Sequence, residues 1–174
     1  MQRMGHLLGK ETKAKKLLED YAAAMEQMKK VLPREKSNKK IVVISGTLQA
    51  KTKKVFLRVE APGGYTDQFL LEPLGLINAG NLLYPEKAKP QKGYVGVRKI
   101  DGLIKAAPDA IIITGNSLGV QMKIRDELRR NPALRDVPAI KNIALYSLPI
   151  YYDSRVLDYP QILMQWNAVL LKKM

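Results

Sequence analysis

Between residues 10 and 32 the apolar positions Ala14, Leu17, Leu18, Tyr21, Met25, Met28 and Leu32 recur mostly at intervals of three and four. That pattern predicts one amphipathic helix about 35 Å long, stopped by Pro33 and the polar REKSNKK run. The pattern then changes period. KKIVVISGT (39–47) is a β-branched apolar run, read as a buried strand closed by Ser45-Gly46. In KKVFLRVEAPGG, Val55, Leu57 and Val59 alternate with Phe56, Arg58 and Glu60, which is a second strand ending at Pro62-Gly63-Gly64. Thr66 or Asp67 is placed to cap a helix through TDQFLLEPLGLINAG, with Gly80 past its end and Pro73 either kinking it or delaying its start. Residues 81–97, with Pro85, Pro90, Gly93 and Gly96, read as a returning loop.

The stretch RKIDGLIKAAPDAIIITGNSLG (98–119) carries the most structure per residue. Ile100, Leu103, Ile104 and Ala107 mark a short amphipathic helix, broken at Pro108-Asp109. AIIIT is a strand buried on both faces, as in a parallel sheet, and GNSLG leads into a helix over 120–131. KNIALYSLP (141–149) gives another strand, IYYDS a loop, and RVLDYPQILMQWNAVLLKKM a closing helix with Trp166 on its apolar side. Strands alternating with helices predict an α/β fold, a three-layer α/β/α unit with a mainly parallel central sheet. Three loops, 61–68, 115–119 and 148–155, follow strand ends and are expected on one rim, where open α/β sheets bind ligands. Two of them carry tyrosine, Tyr65 and the pair Tyr151-Tyr152, and Arg155 follows. Exposed tyrosines beside an arginine make an amphipathic surface suited to holding a large ligand. The same tyrosines also fit as caps on the edge of the core.

Composition narrows the chemistry. At 174 residues, 46% hydrophobic and 26% charged, the chain suits one globular domain. There is no cysteine, which excludes disulfides, thiolate metal sites and a cysteine nucleophile. The single histidine, His6, stands near a terminus, and no His/Asp/Glu cluster has metal-ligand spacing. No phosphate-binding loop, dinucleotide fingerprint or nucleophile elbow is present, so no catalytic residues are assigned and an enzyme is not expected. TGNSLG between strand and helix offers backbone N–H groups to an anion, a weak signal, since many such turns exist. The net charge is +14, with +9 of it in residues 1–60, where 15 Lys/Arg face 6 Asp/Glu. This favours anionic partners and opens one alternative, a basic α/β domain binding nucleic acid or a phosphorylated partner. The lysines are scattered and lack interleaved aromatics, so nucleic acid is not the expected partner.

Taken together and in order, GHLLGKETKAKKLLEDYAAAMEQM, IDGLIKAAPDAIIITG, NPALRDVPAIKNIALYSLP and LMQWNAVLLKK resemble the C-terminal lobe of class III (cluster A) substrate-binding proteins of ABC importers, from about Gly5 to Lys172. The resemblance implies a long interlobe spine helix over residues 5–34 and a C-terminal α/β lobe over 35–174. It implies binding and delivery of an iron–siderophore, haem, cobalamin or similar metal complex, with no cofactor and no resident metal. The implied ligand-binding positions are Tyr65, Tyr94, Asn116, Ser117, Tyr151, Tyr152 and Arg155. Asp101, on an exposed helix face, takes the place of the family's C-lobe acidic residue, commonly Glu, that docks onto permease arginines. The implied partners are an ABC permease with its ATPase, the metal chelate, and an N-terminal lobe that this sequence does not contain. Self-association of the isolated lobe is a further expectation. The implied location is periplasmic or extracellular, with a lipoprotein anchor on the longer form.

Overall fold

The computed structural model describes residues 1–33, 37–148 and 156–171. Among them, six strands make one sheet: β1 (Lys40–Leu48), β2 (Val55–Glu60), β3 (Ile77–Asn78), β4 (Tyr94–Val97), β5 (Ala110–Gly115) and β6 (Leu145–Ser147). Their order is β4-β2-β1-β5-β6, with β3 paired to the start of β1. The pairs β1–β3, β1–β5 and β5–β6 are parallel, while β1–β2 and β2–β4 are antiparallel. The main helices are α1 (Gln2–Leu7), α2 (Glu11–Val31), α3 (Gly102–Ala106), α4 (Ser117–Arg130), α5 (Pro138–Lys141) and α6 (Tyr159–Leu170).

Period-two alternation along the central strands splits the core into two layers. Val42 and Ile44 of β1 and Ile111 and Ile113 of β5 pack against Leu103 of α3 and Val120 and Ile124 of α4. Ile41, Val43 and Ile112 point the other way, against Met28 of α2, Leu70 and Leu71, and Leu163 and Trp166 of α6. The architecture is therefore the expected α/β/α sandwich. Each fully buried aliphatic or aromatic side chain contributes roughly 1.5–3 kcal/mol to holding these layers together.

The long helix forms as the apolar spacing predicts. Its Met28 is seated in the second layer and Asn167 of α6 donates from Nδ2 to the Val31 carbonyl at 3.2 Å, while most of its first half is exposed. Ahead of it, α1 folds back as a separate short helix. A side chain at Gly5 would come within 2.5 Å of Ala14 Cβ, so the close crossing of the two helices needs glycine there.

Two expectations are corrected. The helix through TDQFLLEPLGLINAG does not form as one rod. A π-helical turn (Asp67–Leu71) runs into a 3-10 turn (Glu72–Leu74), Gly75 reverses the chain at φ 66°, and Ile77–Asn78 becomes β3. Pro73 supplies no N–H, and the pull of β1 for one more partner strand outweighs continued helix. The loop over 81–97 likewise ends in β4, whose Val95 is buried. Its glycine and proline content masked a four-residue edge strand, the position in a sheet that tolerates such residues.

Candidate functional site

The antiparallel run of β2 separates loops that were expected to share a rim. Loop 115–119 follows β5 at Gly115, which is level with Gly46 of β1. Loop 61–68 follows Glu60, one residue past the Val59–Ile44 pair, and Tyr94 of β4 is paired with Glu60. Glu60 and Tyr94 thus lie level with Val43, about 10 Å back along the sheet from Gly46. They also differ in side. Val59 packs in the α4 layer, so Arg58 and Glu60 face the opposite layer, with α2 and α6.

Asn116 and Ser117 lie on the α4 side, half-buried in a loop whose glycines are closely packed. Asn116 is the N-cap of α4, its Oδ1 accepting from Gly119 N–H at 2.7 Å. Gly115 sits at φ 68°, where a Cβ would lie 2.5 Å from the Gly46 carbonyl, and a Cβ on Gly119 would lie 2.4 Å from Val55. The backbone N–H of Asn116 donates to the Gly46 carbonyl at 2.9 Å. Tyr151, Tyr152 and Arg155 lie outside the described residues.

Tyr65 and Tyr94 do come together. They wall a cavity of about 800 Å³ whose lining includes Glu60, Gly63, Gly64, Gly93 and, at the mouth, the exposed Lys92. Aromatic contacts extend the wall. The Tyr65 and Phe69 rings are stacked at 6.3 Å, and Phe69 meets Tyr159 of α6 edge-on at 5.9 Å. Tyr159 donates its hydroxyl to the Phe69 carbonyl at 2.9 Å. The Arg58 guanidinium lies 4.9 Å from the centre of the Tyr94 ring.

Beneath this wall is a buried polar cluster. Asp67 accepts from Gly63 N–H and from Asn78 Nδ2, both at 2.7 Å, and Asn78 Oδ1 accepts from Gly80 N–H at 2.8 Å. Glu60 is only 2% exposed. Its Oε1 accepts one long bond, 3.3 Å, from Thr66 N–H, and its Oε2 is buried with no partner. Burial pushes the carboxyl groups of both Glu60 and Asp67 up from their usual range. Sequence reading missed Glu60, which looked like one more outward strand residue. The signal available was the spacing Glu60–Tyr65–Phe69, which brings a carboxyl and two rings around one glycine turn.

Asp101 is at the N-cap of α3 and is half-buried, not on a fully exposed face. Its Oδ1 accepts from Asn131 Nδ2 at 2.9 Å, tying α3 to the end of α4. Among the described residues no group of three or more His, Cys, Asp or Glu side chains is arranged to hold a metal. No helix among them is long and apolar enough to cross a membrane.

The described residues thus form a two-sided α/β sandwich with an aromatic-walled cavity beside the edge strand β4. The family model "Periplasmic binding protein" matches residues 1–152, and the chain belongs to that family, a class of solute-binding proteins. Its fold is similar to that of an ABC transporter substrate-binding protein from Listeria monocytogenes EGD-e, at TM-score 0.63 and 19% identity, covering 98% of this chain and 62% of that one. It is also similar to the periplasmic heme-binding protein RhuT from Roseiflexus sp. RS-1, at TM-score 0.67 and 16% identity, over 97% and 59% of the two chains. A third similar fold is the triscatecholate siderophore-binding protein FeuA from Bacillus subtilis, at 0.61 and 20%, over 94% and 55%. The chain spans about three fifths of the length of these solved structures. None of the curated proteins is a significant match to it.

Proposed function

We propose that this chain is the C-terminal lobe of a solute-binding component of an ABC importer, and that it contributes one wall of a site for a metal complex such as haem or a ferric siderophore. The observation that supports this most is the cavity between Tyr65 and Tyr94 in a chain of the periplasmic binding protein family. Two tyrosine rings with polar hydroxyls hold a large, flat or aromatic ligand at small entropic cost. The exposed Arg58 and Lys92 beside the cavity suit an anionic ligand body. Nothing comparable supports a nucleic-acid surface.

In this reading α2 and the segment around it, residues 5–34, form the spine between two lobes, and residues 35–174 form one of them. The exposed Met4 and Leu7 of α1, with Leu8 just past its end, then cover against the other lobe, or against a second copy when that lobe is missing. Asp101 is the docking carboxylate for the permease, working with an ATPase, and the bond from Asn131 holds it in place for a partner arginine. Tyr151, Tyr152 and Arg155 add to the ligand contacts, whereas Asn116 and Ser117 serve the loop. The protein works outside the cytoplasmic membrane, in the periplasm or at the cell surface, anchored as a lipoprotein in its longer form.

The test is titration of the chain with haem, a ferric catecholate, a ferric hydroxamate and cobalamin, read by tyrosine fluorescence. Saturable quenching by one class is expected, reduced about tenfold in affinity by Tyr94→Ala, the worth of one lost aromatic contact of about 1.4 kcal/mol. No response to any of the four sinks the proposal.

A further inference from the structure

Among the described residues that line the cavity, the Glu60 carboxyl is the feature that an anionic metal complex does not explain. It lines the space between Tyr65, Tyr94 and Gly93. The donor beside it is Thr66, whose N–H reaches Oε1 at 3.3 Å and whose buried hydroxyl adjoins the carboxyl without a well-formed bond, so Oε2 is sealed from water and under-satisfied. The nearby Asp67 does not relieve it, because both Asp67 oxygens are taken and its charge has the same sign. A buried carboxyl held by one long bond gains from a further, stronger donor. Sequence gives no packing reason for a carboxyl there; alternation on β2 puts it inward beside Tyr94.

The surroundings fit a cation. Tyrosine faces attract ammonium and guanidinium groups, and the Tyr94 ring already carries the Arg58 guanidinium at 4.9 Å. The terminal torsion of a glutamate carboxyl is broad, so the group adjusts its angle to a donor that enters the cavity. The turn lies close over the carboxyl: a Cβ on Gly64 would stand 3.3 Å from Glu60 Oε1, so glycine there keeps a side chain off that approach. Lys92 at the cavity and Arg58 in the adjoining groove are exposed, where water screens them, while Glu60 is buried and screened less.

We propose that the Glu60 cavity is a subsite for a protonated amine or guanidinium arm of the ligand, with Glu60 accepting its hydrogen bond and Tyr65 and Tyr94 flanking it. The idea rests on the reading of this cavity as part of a metal-complex site and narrows it. The ligand would carry charge of both signs, an anionic body met by Arg58 and Lys92 and a cationic arm met by Glu60.

The closing experiment uses the whole chain and two kinds of probe. Amide spectra are recorded during titration with n-butylammonium and, as the uncharged counterpart, n-butanol. Saturating shifts at Gly63, Gly64 and Gly93 are expected for the ammonium, about tenfold weaker for the alcohol, and lost in Glu60→Gln while the rest of its spectrum superimposes. Ammonium shifts that persist in Glu60→Gln, or no saturating shift in the wild type, overturn the subsite. In parallel, a ferric trihydroxamate bearing a free terminal amine is compared with its N-acetylated form by tyrosine quenching. Tighter binding of the free amine, lost in Glu60→Gln, supports the subsite. Equal binding of the two overturns it and leaves the metal-complex reading standing. Ammonium binding with no response to either chelate keeps the cation site and removes the chelate.

Discussion

Loops 61–68 and 115–119 look alike on paper: each follows a strand, each holds two glycines and a small polar side chain, and each precedes a helical turn. In the folded chain they do opposite work. In 115–119 the glycines allow close packing, Gly115 against the Gly46 backbone and Gly119 against the Val55 side chain, and Asn116 is bound up in capping α4. In 61–68, Gly63 has open space around it, Tyr65 is 62% exposed, and a carboxyl oxygen beneath is unsatisfied. A glycine-rich turn after a strand is therefore not evidence of a ligand cradle until one knows what its missing Cβ atoms make room for.

The largest test of this contrast is a matched pair of glycine substitutions. Gly115→Ala combines a positive φ, at about 1–2 kcal/mol, with overpacking against the Gly46 carbonyl at about 1–3 kcal/mol, so a loss of about 3 kcal/mol is expected. Gly63→Ala carries the φ cost alone, about 1 kcal/mol. Urea denaturation of both variants with unchanged slope reads the difference. Equal losses would mean that the 115–119 loop is not packed as described.

The next effect distinguishes the polar groups. Asp67→Ala strips partners from Gly63 N–H and the Asn78 amide in the same cluster, for an expected loss of about 2–3 kcal/mol. Asn116→Ala removes one helix cap, at about 1 kcal/mol, and leaves chelate binding unchanged. If Asn116→Ala instead weakens binding without destabilising the chain, the 115–119 loop has a ligand role that its packing conceals.

What could be read in advance follows from range of interaction. The long helix, the β1 and β5 strands and the two-layer core were legible because Met25, Met28 and the runs IVVI and AIII carry strong local periodicity. The family resemblance was legible for a related reason, since it rests on those same segments in order. The site was less so. Whether β2 runs parallel or antiparallel to β1 is decided by a hairpin over residues 49–54, and its direction alone moves Tyr65 away from Asn116. β4 has only four residues, two of them too weakly patterned to betray a strand. Glu60 was invisible as a site residue because the groups against its carboxyl, Gly64 and Thr66, belong to the turn and the misread helix that follow β2.

The smallest predicted effect is also the most specific to the open loop. Burial raises the folded-state pKa of Glu60 above its unfolded value of about 4.3. The folded chain therefore holds this proton more tightly than the unfolded chain does. The resulting stabilisation is fully present below the unfolded pKa and is lost as pH rises through the folded one. Asp67 shifts in the same direction for the same reason, so wild type alone does not separate them. The difference between wild type and Glu60→Gln does, because the surface charges and Asp67 are common to both. Wild type should lose stability relative to the variant as pH is raised from about 4 toward neutrality, read by thermal melts at matched ionic strength. Asn116→Ala, as a control on the packed loop, should show no such pH-dependent difference, since no titrating group touches it among its described contacts. A flat difference for Glu60→Gln would mean that the carboxyl is solvated or paired in solution, and the distinction between a packed loop and an open, unsatisfied one would then rest on the glycines alone.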